Sequence, residues 1–189
     1  MTGVDALNRP DPFNQPHSSN QRDGFDRLDA FNQLDAAAAA AVLRPCLDVD
    51  RWVHILVEGR PYRTLPDLIA AAESAAEPFT GAEVEAALAH HPRIGERASG
   101  TTAEAGMSRS EQAALVLDDD VETRLAEGNQ AYERRFGRVF LIRAAGRSSE
   151  EILDQLQTRL GHDPDTEYAV VVDQLREIAL VRLSGVVSA

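Results

Sequence analysis

The sequence predicts an all-α fold, a single-domain helical bundle of about eight helices. Apolar residues recur roughly every 3.6 positions along most of the chain. Ser or Thr stands three residues ahead of Glu at several starts of these stretches, the spacing of a capping box. Alanine and leucine dominate while aromatic residues make up only 5%, a composition that favours helices over sheets.

The elements follow in order. Residues 1–24 (MTGVDALNRPDPFNQPHSSNQRDG) are rich in Asn, Pro, Asp, Gln and Ser without periodicity, which predicts a disordered tail containing His17. The folded domain is expected over residues 25–187. Leu28, Phe31, Leu34 and the alanine run 36–41 predict a first helix that Pro45 ends. Val49, Trp52, Val53, Leu56 and Val57 form an amphipathic stripe closed by Gly59 and Pro61. Leu65, Leu68, Ile69 and Ala72 mark a third helix. Capping boxes at Thr80-x-x-Glu83, Ser108-x-x-Glu111 and Ser148-x-x-Glu151 announce three more. The first of these runs through Val84, Ala87 and Leu88 into His90-His91-Pro92, and the second through Ala113, Ala114 and Leu117. A further helix over about 119–135 ends at Phe136-Gly137. The short apolar run VFLI (139–142) reads as a buried extended segment or a helix start. Ile152, Leu153, Leu156 and Leu160 give the next helix, closed by Gly161, and a last one over about 164–186 buries Val171, Leu175, Ile178, Ala179, Leu183 and Val186.

Composition removes whole classes of function. A net charge of −12 disfavours nucleic acid and anionic membrane surfaces as partners. The chain has no apolar run long enough to span a bilayer and no apolar leader at its N-terminus, so the expected location is the cytoplasm. The single cysteine, Cys46, excludes an internal disulfide and a multi-cysteine zinc site, and its apolar neighbours predict a buried inert thiol. All 19 basic residues are Arg. Without lysine there is no Schiff base, no pyridoxal-phosphate anchor and no P-loop lysine. None of the five histidines has Glu three residues before it, and no two stand four apart, so no metal site is expected.

Two places hold residues that packing alone does not explain. The stretch AHHPRIGE (89–96) puts His90 and His91 where a helix gives way to a loop, with Pro92 fixing the chain direction behind them. A polar helix terminus explains such histidines, and so does an imidazole preset for proton transfer. Arg182 interrupts the apolar stripe of the last helix, four residues after Ile178 and seven after Leu175. It either snorkels to the helix edge or is held to bind an anion or a carbonyl.

The order of several pieces resembles the 2-oxo-4-hydroxy-4-carboxy-5-ureidoimidazoline (OHCU) decarboxylase family of urate degradation. The pieces are FNQLD (31–35), RWV…GRPY (51–62), HHPRIGE (90–96), MSRSEQAAL (107–115), NQAYERRFG…FLI (129–142), TRLG (158–161) and REIALVRL (176–183), together covering about residues 25–187. The resemblance implies an all-α homodimeric enzyme that needs no metal or organic cofactor, releases CO2 from OHCU to give (S)-allantoin, and can associate with other urate-pathway enzymes. It implies His91, the histidine directly before Pro, as catalytic, together with Glu111 and Arg182, with Arg176 as the alternative arginine. Pro92, Ser108 and Gln112 would contact substrate, as would the backbone loop Phe136-Gly137-Arg138-Val139-Phe140. There Arg138 and Val139 replace the family's usual ring residue and proline, so side-chain contacts do not carry over at these two positions. Glu111 can serve as a helix cap or as a substrate acceptor, but not as both with the same lone pairs.

Two other readings compete. Arg134, Arg135, Arg138, Arg143 and Arg147 could form a basic surface for an acidic partner in a helical interaction module, although such charges usually form a solvated helix face. The same fold could also act on a related ureide.

Overall fold

The computed structural model describes residues 27–89, 91–96, 101–113, 115 and 119–188. The expected tail 1–24 with His17, and also His90, Ala114 and Leu117, lie outside the described residues. Among the described residues the chain forms helices and irregular segments without strands. These are α1 (27–33), α2 (Ala36–Leu43), α3 (Asp50–Glu58), α4 (Leu65–Ala75), α5 (Gly81–Leu88), α6 (Ala103–Gln112), α7 (Asp119–Phe136), α8 (Ser149–Arg159) and α9 (Pro164–Ser188).

Local chemistry accounts for most boundaries. Capping boxes close the starts of α5 (Thr80, Glu83) and α8 (Ser148, Glu151), and one that the sequence reading missed, Thr64 with Asp67, starts α4. Two expectations need correction. The single helix expected from Leu28 through the alanine run is two, because the Asp35 carboxylate accepts the Ala38 N–H at 2.7 Å and starts α2 afresh. Ser108-x-x-Glu111 is not a capping box. The helix begins earlier, under the Thr102 hydroxyl, so Ser108 and Glu111 sit one turn apart on the same face of α6. Spacings of i and i+3 serve a cap and a helix face equally well, and the sequence does not distinguish them.

The early helices are locked by reciprocal side-chain bonds. The Asn32 amide donates to the Tyr62 carbonyl at 2.8 Å and accepts the Tyr62 N–H at 2.9 Å. Arg60 donates to the carbonyls of Phe31 and Leu34, which end α1, at 2.9 and 2.7 Å. Arg51 spans from Glu83 to the carbonyls of Ala75 and Pro78, fixing the α4–α5 turn. These bonds satisfy carbonyls that helix ends leave orphaned.

Apolar side chains gather into two cores. The larger joins α1–α5 to α9 around the fully buried Trp52, whose indole N–H donates to the Ala72 carbonyl at 3.0 Å. The smaller packs α7 on α8 around Leu125, Tyr132, Ile152 and Leu156. Residues 139–142 run between the two. Val139 and Leu141 face the larger core while Phe140 and Ile142 face the smaller one, the two-residue alternation of extended chain. The buried-segment alternative for VFLI therefore holds. On α9 the deepest C-terminal contact is Val187, with Val186 only partly covered.

At Gly128 the α7 backbone passes so close to α8 that an added Cβ would meet Leu156 Cδ2 at 2.5 Å and Cγ at 3.1 Å. Helix propensity alone would make Gly128→Ala stabilising by about 1 kcal/mol. Overpacking of a core contact costs about 1–3 kcal/mol and decides the sign. Urea denaturation of Gly128→Ala is expected to give a lower midpoint than the parent chain; an equal or higher midpoint would show that the helices can separate freely.

Candidate active site

A narrow cleft opens where the two cores meet. His91, Pro92, Ser108, Glu111, Gln112, Phe140 and Arg182 from the expected set line it, and so do Ile94, Leu141, Ile142, Ala144 and Ile178. Residues far apart in sequence are thus brought to one surface.

The imidazole comes from the chain leaving α5. The His91 backbone N–H donates to the Leu88 carbonyl at 3.0 Å, and ring Nδ1 lies 2.9 Å from the Ala87 carbonyl. A carbonyl only accepts, so Nδ1 carries the proton and Nε2 is the nitrogen whose protonation can change.

The carboxylate and guanidinium form a fork-to-fork pair. Arg182 Nε donates to Glu111 Oε1 at 2.6 Å and Nη2 to Oε2 at 2.9 Å. Nη2 also donates to Ser108 Oγ at 3.1 Å, and Nη1 to the Pro45 carbonyl at 3.3 Å. The Arg182 side chain is 4% exposed and that of Glu111 18%, so the acid faces the opening while the base stands behind it. Arg182 is therefore held, not snorkelled. Arg176 lies elsewhere, paired with Asp173 and Glu77. Six residues turn an α-helix through about 240°, so the two arginines cannot share a face.

Gln112 and two unforeseen residues fix the loop behind His91. Gln112 Oε1 accepts the Gly95 N–H at 3.0 Å, and the buried Asn129 amide donates to the Ile94 carbonyl at 2.9 Å. Glu133, one turn on from Asn129, forks with Arg93 at 2.5 and 2.9 Å. Gly95 itself has φ +86, a conformation that other residues adopt rarely. The spacing Asn129–Glu133 was the available signal: two polar groups on one face of an otherwise amphipathic helix.

The expected contact loop divides. Phe140 lines the cleft, but Phe136, Gly137, Arg138 and Val139 do not. Phe136 stacks on Tyr132 with ring centres 4.7 Å apart, and Gly137 turns the chain with φ +70. Arg138 lies over the Tyr168 ring and pairs with Glu85 at 3.3 Å, and Val139 packs on the larger core. The wall of the cleft is instead built one to four residues later, by Leu141, Ile142 and Ala144. Three of the arginines considered as a basic patch are engaged within the fold. Arg138 pairs with Glu85 and Arg143 with Glu177, while Arg135 donates to the His162 carbonyl.

Cys46 is buried behind Arg182, and desolvation pushes its thiol from the ordinary value up to about 12. Ellman's reagent at pH 8 is expected to leave the folded protein untouched and to titrate one thiol after unfolding; rapid modification of the folded chain would contradict this burial. The neutral thiol favours the folded state below about pH 9, and that contribution is lost as pH rises from there toward 12. Among the described residues no group of three or more His, Cys, Asp or Glu is placed to hold a metal, and no helix is long and apolar enough to cross a membrane.

An imidazole, a carboxylate and a guanidinium around an apolar-walled slot are the groups an acid–base enzyme would need to hold a small, planar, polar molecule and move a proton on it. Comparison with known proteins gives that class its family. The OHCU decarboxylase family model matches residues 32–184. OHCU decarboxylases of Amia calva and Haloferax volcanii are 29% and 30% identical, over 68% and 66% of this chain and 75% and 74% of their own. A crystal structure of OHCU decarboxylase in the presence of (S)-allantoin shares the fold with a TM-score of 0.65, at 21% identity over 79% of this chain and 99% of that one. This chain belongs to the OHCU decarboxylase family.

Proposed function

We propose that this chain decarboxylates OHCU to (S)-allantoin without a cofactor, with residues 25–187 as the catalytic unit. The observation that carries the reading is the meeting of His91, Glu111 and Arg182 at one cleft.

The reaction breaks the bond from a ring carbon to its carboxylate. CO2 departs, the electron pair passes into the adjacent C=N or carbonyl system of the heterocycle, and one proton is returned to one face. Because the substrate is its own electron sink, the protein's task is orientation, charge stabilisation and proton delivery. His91 Nε2 supplies the proton, the ring being aimed by its Nδ1–H bond to Ala87. Glu111 accepts from ureido or ring N–H groups, which a carboxylate does without competing donors. Arg182 holds Glu111 oriented, and its Nη1, having given one N–H to Pro45, offers the second to a substrate oxygen. Gln112, with its oxygen committed to Gly95, has its NH2 group for a substrate acceptor. Ser108 and Pro92 shape the floor, and Phe140 the wall.

The reading carries with it a cytoplasmic homodimer. The uric acid degradation bifunctional protein of Arabidopsis thaliana, 28% identical over 54% of this chain and 33% of its own length, supports association with other urate-pathway enzymes. The test generates OHCU in the cuvette from urate with urate oxidase and hydroxyisourate hydrolase. The chain is expected to speed the loss of the OHCU absorbance and to yield enantiopure (S)-allantoin; decay at the spontaneous rate with racemic product would refute it.

A further inference from the structure

Behind the cleft wall lies a second charged cluster, buried except at His162. Arg159 of α8 and Glu167 of α9 are 2% and 1% exposed. Glu167 Oε1 accepts from Arg159 Nε at 2.9 Å, from Nη2 at 2.6 Å and from the Tyr132 hydroxyl. Its Oε2 lies 2.9 Å from His162 Nδ1. The remaining arm of Arg159, Nη1, donates to the Leu141 carbonyl at 2.7 Å. The guanidinium plane also lies 4.6 Å from the Phe140 ring centre, while Tyr132 meets the same ring edge-on at 5.2 Å.

We propose that Arg159, held in place by Glu167 and Tyr132, is a positioning residue for the cleft, fixing the Phe140–Ile142 wall against which the substrate seats. The inference rests on the function proposed above and concerns residues that do not touch the cleft themselves. Residues 139–144 have neither helix nor strand to set their backbone. Two side-chain bonds anchor it: Arg159 to the Leu141 carbonyl, and Gln174 Oε1 accepting the Arg143 N–H at 2.9 Å. A buried ion pair is seldom the most stabilising way to fill such a space, since apolar residues of equal volume often do as well or better. Apolar residues, however, could not grip a carbonyl and cover a ring face at once. The planar fork of arginine does both. Sites of this kind need their supporting groups placed to within about half an ångström.

Arg159→Lys preserves the charge opposite Glu167, but its single ammonium cannot pair, grip Leu141 and cover Phe140 together. OHCU kinetics are measured beside thermal melting. Arg159→Lys is expected to raise KM on the order of tenfold or more, with a smaller fall in kcat per folded molecule. A lower melting temperature with unchanged KM and kcat would make the cluster purely structural and overturn the inference. If Arg159→Lys does not fold, Tyr132→Phe decides. It keeps both Arg159 and Glu167 and removes the hydroxyl that donates to Glu167 Oε1 and accepts from Arg159 Nη2 at 3.4 Å. A KM raised at least about twofold supports positioning, and an unchanged KM overturns it. An active parent chain with unaffected variants sinks this inference alone, whereas a parent chain inactive on OHCU sinks the function and the inference together.

Discussion

His91→Asn is expected to lower kcat on OHCU by about 10²–10⁴, the usual contribution of a positioned proton donor, while the fold survives. The reason lies in how the ring is held. Nδ1 is committed to the Ala87 carbonyl at 2.9 Å, and an Asn amide nitrogen can occupy a similar place. Backbone anchoring to Leu88 does not depend on the side chain. The variant therefore keeps these two anchors and loses the ring's Nε2. Far-ultraviolet circular dichroism and melting temperature should match the parent chain while OHCU decay falls toward the uncatalysed rate. Turnover near that of the parent would remove His91 from the mechanism.

Glu111→Gln produces the second large effect, on activity and stability together. The substitution keeps the shape but takes the counter-charge from an arginine whose side chain is 4% exposed. Breaking a buried pair on one side costs about 3–5 kcal/mol, and the partial exposure of Glu111 sets the expectation at the lower end. For a chain of this size about 3 kcal/mol corresponds to a melting temperature lower by roughly 6–12 °C. Loss of an acceptor-only group at the opening should also lower kcat/KM by about 10² or more. The double variant Glu111→Met with Arg182→Met separates the two consequences. With both charges gone no uncompensated ion is buried, so most of the stability should return, whereas activity should stay lost. A double variant that recovers activity would show that the pair serves only the fold.

Much of this molecule was legible from spacing. The stripe from Val49 to Val57, the boxes at Thr80 and Ser148 and the long last helix all appear where the pattern put them, because each is set by contacts within a few residues of chain. His91 and Arg182 could be singled out because each departs from its local pattern, and the family resemblance added Glu111. The misreadings share a cause. Ser108 looked like a cap because an i, i+3 pair carries no mark of whether a helix starts there or passes through. Leu141, Ile142 and Ala144 were not foreseen in the cleft because the alternation of residues 139–142 between two cores exists only once both are assembled. Asn129, Glu133, Arg159 and Glu167 were unassigned because their partners lie on other elements.

The amino-acid order alone determined that the chain is helical, that chemistry here has neither lysine nor paired cysteines to draw on, and that residues 91 and 182 are out of the ordinary for their positions. Helix formation is a local balance of propensity, capping and apolar period, and it can be read locally. Only the packed structure decided that the guanidinium of Arg182 meets Glu111, 71 positions earlier in the chain, that Arg176 points away, and which backbone forms the wall. Those outcomes depend on the docking of helices whose contact faces are set by both cores at once, a quantity that no window of sequence contains.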